Sequence, residues 1–419
     1  MSEWQEYTLG DIVDIKHGYA FKGEFFSETP TTDILVTPGN FKIGGGFKSD
    51  KLKYYNGEIP DGFVLSHEDI IVTMTDLSKQ ADTLGYSAKV PIDSSKVFLH
   101  NQRIGLLIFK DKSFDKDFIY WLMRAEHYQK FVAGSATGAT VKHSSPSRIR
   151  AFKFKAPTSN SLRKKIAKIL SNYDDLIENN LKRIKLLEES ARLTYEEWFL
   201  RFRIDGKKLD IDPDTGLPFG WEYSGLNNIS TFTNGYAFKS KDFVEYGHPV
   251  IKIKNIDGKM VDVHNTNRIS ANDVLKVNDK FKLHEGDLLI AMTGATVGKL
   301  GFVPYSNDAC YLNQRVGKIQ SEYLFFTFLA LSGTSGQKQI LNFAGGAAQP
   351  NISGDQILAV KNIIPAKDIL DKFELLSNNA LSQILNFTRK NQLLKEARDI
   401  LLPRLMTGMI DTDDMDIAV

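Results

Sequence analysis

The chain is written twice, and no other feature limits its fold as much. Trp4, Leu9, Ile12 and the run Gly18-Tyr19-Ala20-Phe21-Lys22 return at one constant offset as Trp221, Leu226, Ile229 and Gly235-Tyr236-Ala237-Phe238-Lys239. Asn40 in a Gly-rich stretch matches Asn255 before Asp257-Gly258. Ile70-Ile71-Val72 leading to Met74-Thr75 matches Leu288-Leu289-Ile290 leading to Met292-Thr293. Asn101-Gln102-Arg103-Ile104-Gly105 matches Asn313-Gln314-Arg315-Val316-Gly317, Pro157 matches Pro365, and Ala191-Arg192 matches Ala397-Arg398. The offset varies between blocks, as it does when a scaffold is kept and its loops change. A chain of 419 residues is too long for one core. The duplication therefore predicts two copies of one unit, each a globular domain followed by a long helix.

Within each half, β-branched runs bounded by Gly, Pro, Asn and Asp predict short strands at 34–37, 70–74 and 103–109, with partners at 250–253, 288–292 and 315–319. A short aromatic helix follows at 118–131 or 323–331, then a Gly/Ser/Thr/Ala-rich loop at 133–147 or 344–354. Dispersed strands with few helices define an α+β domain with an antiparallel or mixed sheet. The expected boundaries are a first domain at 1–158, a long helix at 159–203, a linker dense in Asp, Gly and Pro at 204–220, a second domain at 221–365, a second long helix at 366–411 and an acidic tail at 412–419.

The long helices announce themselves by spacing. Leu162, Ile166, Ile169, Tyr173 and Leu176 fall at steps of four and three, and the seam continues through Asn180, Ile184, Leu187, Ala191, Thr194 and Trp198. No Gly or Pro interrupts it. So narrow a stripe seeks one long partner helix. Ile369, Phe373, Leu376, Ala380, Ile384, Phe387, Leu394, Leu401 and Leu405 supply one. Asn180 and Thr194 are the polar, register-setting positions of the expected pair. Apolar residues left off the seam, Leu170, Ile177, Leu181, Leu186, Tyr195 and Phe199, form a candidate docking surface.

The search for catalytic tools excludes several classes. Gly294-Ala295-Thr296-Val297-Gly298-Lys299-Leu300 is one residue short of a phosphate loop, and Leu300 stands where Ser or Thr must bind magnesium. Gly44-Gly45-Gly46 reads as a flexible turn, without the setting of a dinucleotide site. There is no Asn-Pro-Pro or Asp-Pro-Pro tetrad of base-amino methyltransferases and no Gly-x-Ser-x-Gly elbow. The eight His are scattered without metal-ligand spacing, and the single Cys310 can form neither an internal disulfide nor a cysteine zinc site. The expectation is a protein with no catalytic residues, metal or cofactor. Glu3, Glu6 and Asp11 in the opening stretch, with no apolar run, predict no signal peptide. The longest apolar run, near 324–331, is too short to span a membrane. A reducing cytoplasm fits this usage.

Recognition chemistry remains. Between Glu126 and Asp174 there is no acid, while Lys130, Lys142, Arg148, Arg150, Lys153, Lys155, Arg163, Lys164, Lys165 and Lys168 lie there. Such a block is a candidate phosphate-facing surface, or else a solvated face. The Gly-rich loops carry Thr140, Lys142, His143, Ser144, Ser145 and Arg148 in the first half and Gln349, Asn351 and Ser353 in the second. Thr293 and Thr296 join the second set. Lys, Arg, Asn and Gln are the types that read purine edges in the major groove. Lys16, His17, Tyr19 and Lys22, with Asn234, Tyr236 and Lys239, offer phosphate contacts plus an aromatic ring. The rings are as well suited to core packing. Arg103 and Arg315 read as holding a strand or loop in place more readily than as reading a base.

The order of parts resembles the specificity subunits of type I restriction-modification enzymes over essentially the whole chain. The carriers are the duplicated Trp…Leu…Ile and Gly-Tyr-Ala-Phe-Lys and the turn Leu217-Pro218-Phe219-Gly220-Trp221-Glu222. Glu197-Trp198-Phe199 closes the first helix, and Leu402-Pro403-Arg404-Leu405-Met406-Thr407-Gly408 closes the second. The resemblance implies two target-recognition domains, each reading half of a bipartite site in double-stranded DNA. It implies two helices paired antiparallel in a pseudo-twofold coiled coil, docking two methyltransferase subunits that restriction subunits join. It implies no catalytic residue in the chain itself. Two rival readings stay open. One is a coiled-coil adaptor whose heads bind proteins, and the other an enzyme fused to recognition domains. A related possibility is a specificity subunit serving a different defence system.

Overall fold

In the computed structural model, which describes residues 3–76, 78, 80–138, 141–345 and 350–412, the duplicated blocks become the same strands in the same order. The first copy has a four-stranded antiparallel sheet ordered Val13–His17, Ile104–Phe109, Ile70–Thr73, Ser87–Lys89. The second repeats it as Ser230–Asn234, Val316–Ser321, Leu288–Ala291, Leu300–Phe302. Each copy adds a five-stranded mixed sheet with one parallel pair, Asp33–Val36 beside Val97–His100 and His248–Ile251 beside Cys310–Leu312. Each also closes with an antiparallel ribbon between its first and last strands, Trp4–Thr8 with Lys153–Pro157 and Glu222–Gly225 with Lys361–Ile364. The ribbon returns the chain to where the domain began, so the following helix leaves from a fixed point.

The chain divides into two compact units, and the division cuts both long helices. The first unit is Met1–Leu176 with Leu394–Val419, the second Ile177–Leu393. The helices span Asn160–Tyr195, extended by a π-helical turn at Glu196–Leu200, and Lys367–Met406. Inside the first unit, Leu162, Ile166 and Leu170 share a core with Leu402, Leu405 and Met406. Inside the second, Ala191, Tyr195 and Trp198 share a core with Leu370, Phe373 and Leu381. The start of each helix thus lies against the end of the other, which is antiparallel pairing. Residues 204–220 fold within the second unit, through the hairpin of Arg203–Ile204 with Lys207–Lys208 and a bridge between Ile211 and Pro218.

The seam departs from its expected course. Leu176 is 50% exposed and Leu376 53% exposed, while Leu170 and Ile177, one residue on from expected seam positions, are buried. Near its ends each helix also lies against its globular domain, which widens the covered stripe. Arg163 and Ala167 are therefore buried beside Leu162 and Ile166. The docking surface expected on Leu170, Ile177, Tyr195 and Phe199 is corrected accordingly, because all four are buried inside the protein. Leu181 and Leu186 remain open at 49% and 67%. Asn180 does meet a partner, donating its amide to Asn391 Oδ1 at 2.8 Å. Thr194 does not, since its hydroxyl turns back to the Ser190 carbonyl at 2.8 Å.

Two further expectations change. The helix expected at 118–131 is two, Lys116–Leu122 and Glu126–Gly134. The second copy likewise follows Leu324–Ser332 with Thr334–Ala344, where the polar, Gly-containing sequence hides a helix. The basic block is not one surface. Arg163 is buried and donates to the carbonyls of Pro157, Thr158 and Ser113, and Arg150 pairs with Asp14. Thr140, Gln349 and the tail beyond Thr412 lie outside the described residues.

Candidate nucleic-acid interface

One arrangement of four segments is built in both units. In the first, Gly18 brings the chain against Asn101, where an added Cβ would lie 2.1 Å from the Asn101 carbonyl oxygen. Tyr19 bridges to Asn101, and its carbonyl accepts the Gln102 N–H at 2.9 Å. In the second unit Gly235 presses on Asn313 in the same way, at 2.0 Å, and the Tyr236 carbonyl accepts the Gln314 N–H at 2.8 Å. The next segment joins through the Arg103 carbonyl, which accepts the Met74 N–H at 3.0 Å, and through Arg315, which accepts from Met292 at 3.0 Å. The Met74 carbonyl then accepts the Ser144 N–H at 3.0 Å, and Met292 accepts from Ile352 at 3.0 Å. Thr75 pairs with His143, and Thr293 with Asn351. The Gly-rich loop of each copy is therefore pinned beside the Gln-Arg dipeptide and the Met-Thr dipeptide.

Within this frame the expected residues separate. Lys142 and His143 sit on the strand paired with Thr75–Asp76. His143 Nδ1 lies 3.1 Å from Thr75 Oγ1, which fixes the ring and leaves Nε2 without a partner among the described residues. Asn351 is exposed, and Arg148 is exposed with only a 3.4 Å contact from its guanidinium to Thr137 Oγ1. In the second unit Met292, Thr293, Gln314, Arg315, Pro350 and Asn351 line an open cleft of about 450 Å³. A wider cleft there, about 1110 Å³, lies instead against the helices, with Glu188, Arg192, Phe325 and Leu381 among its lining.

Several expected contacts have structural duties. Ser145 and Ser353 are helix N-caps, their hydroxyl oxygens accepting the N–H of Arg148 at 3.4 Å and of Gln356 at 3.2 Å. Ser144 is buried beneath the loop. Lys16 donates to the Gly62 carbonyl at 2.7 Å and stands over the Phe63 ring. Tyr19 and Tyr236 are packed on Phe21 and Phe238 at ring distances of 5.2 Å and 4.9 Å, yet each stays 37% exposed. Lys22 is in a loose surface pair with Glu24 at 3.8 Å. His17, Asn234 and Lys239 are exposed, and the Thr296 hydroxyl is enclosed without a partner among the described residues. Lys153 and Lys155 project from the closing ribbon, opposite Thr8 and Glu6, and not from the loop cluster.

Asp76 was not among the expected residues, and its carboxylate gathers the N–H groups of Ser78 and Thr83 just after it. Burial pushes its carboxyl up, but the Ser78 and Thr83 N–H groups at 2.6 Å each, with the Thr83 hydroxyl, hold it below the usual carboxylate range. Arg103 and Arg315 also differ from expectation. Their backbones hold the neighbouring segment, as the strand-holding role requires, but their side chains are exposed and make no hydrogen bond or ion pair among the described residues.

A duplicated α+β scaffold that presents one frame twice with different loop residues defines a two-headed recognition protein. The chain belongs to the type I restriction modification DNA specificity domain family, whose model matches residues 1–189 and 218–395. It is 24% identical over 437 residues to the type I restriction enzyme MjaIX specificity subunit of Methanocaldococcus jannaschii, covering 95% of this chain and 100% of that one. It is 23% identical over 423 residues to the EcoBI specificity subunit of Escherichia coli, covering 92% and 84%. Its fold matches the crystal structure of the S subunit of a type I restriction-modification system from M. genitalium, with TM-score 0.59 and 16% identity over 97% of this chain and 96% of that one. No helix among the described residues is long and apolar enough to cross a membrane.

Proposed function

We propose that this chain is the DNA-recognition subunit of a type I restriction-modification complex working in the cytoplasm. Residues 1–158 and 221–365 are its two target-recognition domains, each reading one half of a bipartite asymmetric site. The observation that carries this reading is the frame built twice. Identical backbone bonds hold Lys142-His143-Ser144 in one copy and Pro350-Asn351-Ile352 in the other. One scaffold with two sets of side chains suits two different half-sites. Lys142, His143 and Arg148 suit guanine edges in the first half-site and Asn351 an adenine in the second. His17, Lys22, Asn234 and Lys239 supply phosphate contacts around them. Methyltransferase subunits dock on the paired helices, where Leu181 and Leu186 stay exposed, and restriction subunits join that assembly. Those partners carry the chemistry.

The test is a domain exchange. Residues 1–158 are replaced by the matching segment of a relative, the chimera is co-expressed with the methyltransferase subunits, and methylated sites are mapped. The expected outcome is a changed first half-site with the second half-site and spacer retained. A change in both halves contradicts two independent reading domains. Absence of sequence-selective DNA binding with the partners present favours the protein-binding adaptor.

A further inference from the structure

We infer that Arg103 and Arg315 are matched phosphate anchors, one in each recognition domain, that grip the DNA backbone beside the base-reading loops. This rests on the DNA-reading function proposed above and names a part of it. Both arginines end the same Asn-Gln-Arg turn. Asn101 Oδ1 accepts the Arg103 N–H at 3.0 Å, and both arginine carbonyls are bonded to the Met-Thr segment, so each Cα is held rigidly. Both guanidiniums are nevertheless exposed and unpaired among the described residues. An exposed arginine on a loose loop costs little to leave free. One on a braced turn presents its charge at a fixed place, with little entropy left to lose on binding.

The comparison between copies selects phosphate over base. Around the two arginines the loops differ, Lys142-His143-Ser144 against Pro350-Asn351-Ile352. Residues that read different sequences must differ. A residue identical in both copies suits what both half-sites share, and every duplex shares its phosphates. The guanidinium fork matches a phosphate in a bidentate geometry that lysine cannot reproduce. In the second unit Arg315 lines the open cleft with Thr293 and Asn351, so one ligand can meet anchor and loop together.

The experiment uses the full chain with its methyltransferase partners and compares Arg103→Ala, Arg315→Ala, the double variant and the two Arg→Lys variants. Affinity is measured against salt concentration, on the duplex that the wild type methylates and on an unrelated duplex. Each Ala variant is expected to weaken binding by the same factor on both duplexes. It should also reduce the slope of log affinity against log salt by about one, and the double variant by about two. The methylated sequence stays unchanged, and Lys restores the slope. A relaxed base at one half-site with the slope unchanged overturns the anchor role in favour of base reading. Wild-type affinity and slope in the Ala variants overturn it outright while the DNA-reading function stands. A wild type that shows no sequence-selective binding removes the function and the anchors together.

Discussion

At the residue scale the frame depends on Gly18 and Gly235. Neither needs a left-handed backbone; what each needs is the absence of a Cβ, because the neighbouring strand lies where one would be. Gly235→Ala forces the Gly235 and Asn313 backbones apart, at a cost of roughly 1–3 kcal/mol. It also shifts the turn that carries Gln314 and Arg315. The expected outcome is loss of discrimination in the second half-site with the first intact, read from methylated sites, together with a lower melting temperature. Normal methylation of both halves would show that the close approach does not position the site. This glycine was legible in the sequence, as the first residue of a five-residue run written twice. The caps were legible too, since Ser353 is followed three residues later by Gln356, the spacing of a reciprocal cap. Ser353 was nonetheless expected to touch DNA, because a serine in a polar loop serves either purpose. The free state of Arg103 could not be read. Whether an arginine is paired depends on which carboxylates the fold brings near it.

At the element scale the junction of helix and domain is held by Asp174 on the first long helix. It pairs with Arg124 of the globular domain and with Arg398 of the second long helix, all within the first unit. Arg124 is buried, stacked 4.1 Å over the Trp121 ring. One carboxylate thus ties three elements. Asp174→Asn leaves the buried Arg124 without its counter-charge, while Arg398 keeps Asp399 at 2.7 Å, and the expected loss is roughly 3 kcal/mol. Its pH dependence follows from the direction of the shift. Burial pushes the Asp174 carboxyl up, but Arg124 and Arg398 pull it further down, so it lies below its ordinary 3.8. A depressed carboxylate contributes stability above the unfolded value and loses it as pH falls through the folded one. Wild type and Asp174→Asn should therefore differ most near neutrality and converge below about pH 4. Denaturation at a series of pH values checks this, and a constant difference down to pH 2 would contradict it. Nothing in the spacing of Asp174 marks it. The helix itself was legible from its apolar rhythm, whereas the choice between adjacent columns, Ile169 or Leu170 and Leu176 or Ile177, was not. For Leu170 that choice is made by the domain core that covers the start of the helix.

At the scale of the whole molecule, duplication is what the sequence displays most openly. The repeated blocks predict the repeated sheet order, the two long stripes predict a helix pair, and the family resemblance implies that the pair is antiparallel. They do not predict that the compact units would each take part of both helices. That division has a mechanical consequence, because the chain passes between the units only within the helices, at 176–177 and 393–394. The reading proposed above then gives the helix pair a second role, setting the unspecified spacer of the DNA site. Lengthening one helix alone would break the Asn180–Asn391 pairing and shift every contact beyond it. The informative variant therefore inserts one helical turn into both helices, at matched positions in the stretch between their domain-packed ends. One turn adds about 5.4 Å, against roughly 3.4 Å per base pair, so the preferred spacer should grow by about one or two base pairs while both half-sites keep their sequences. Selection of bound or methylated sites from a library of spacer lengths reads the result. A variant that folds, assembles with its methyltransferase subunits and still selects the original spacer would show that something other than the helices sets it.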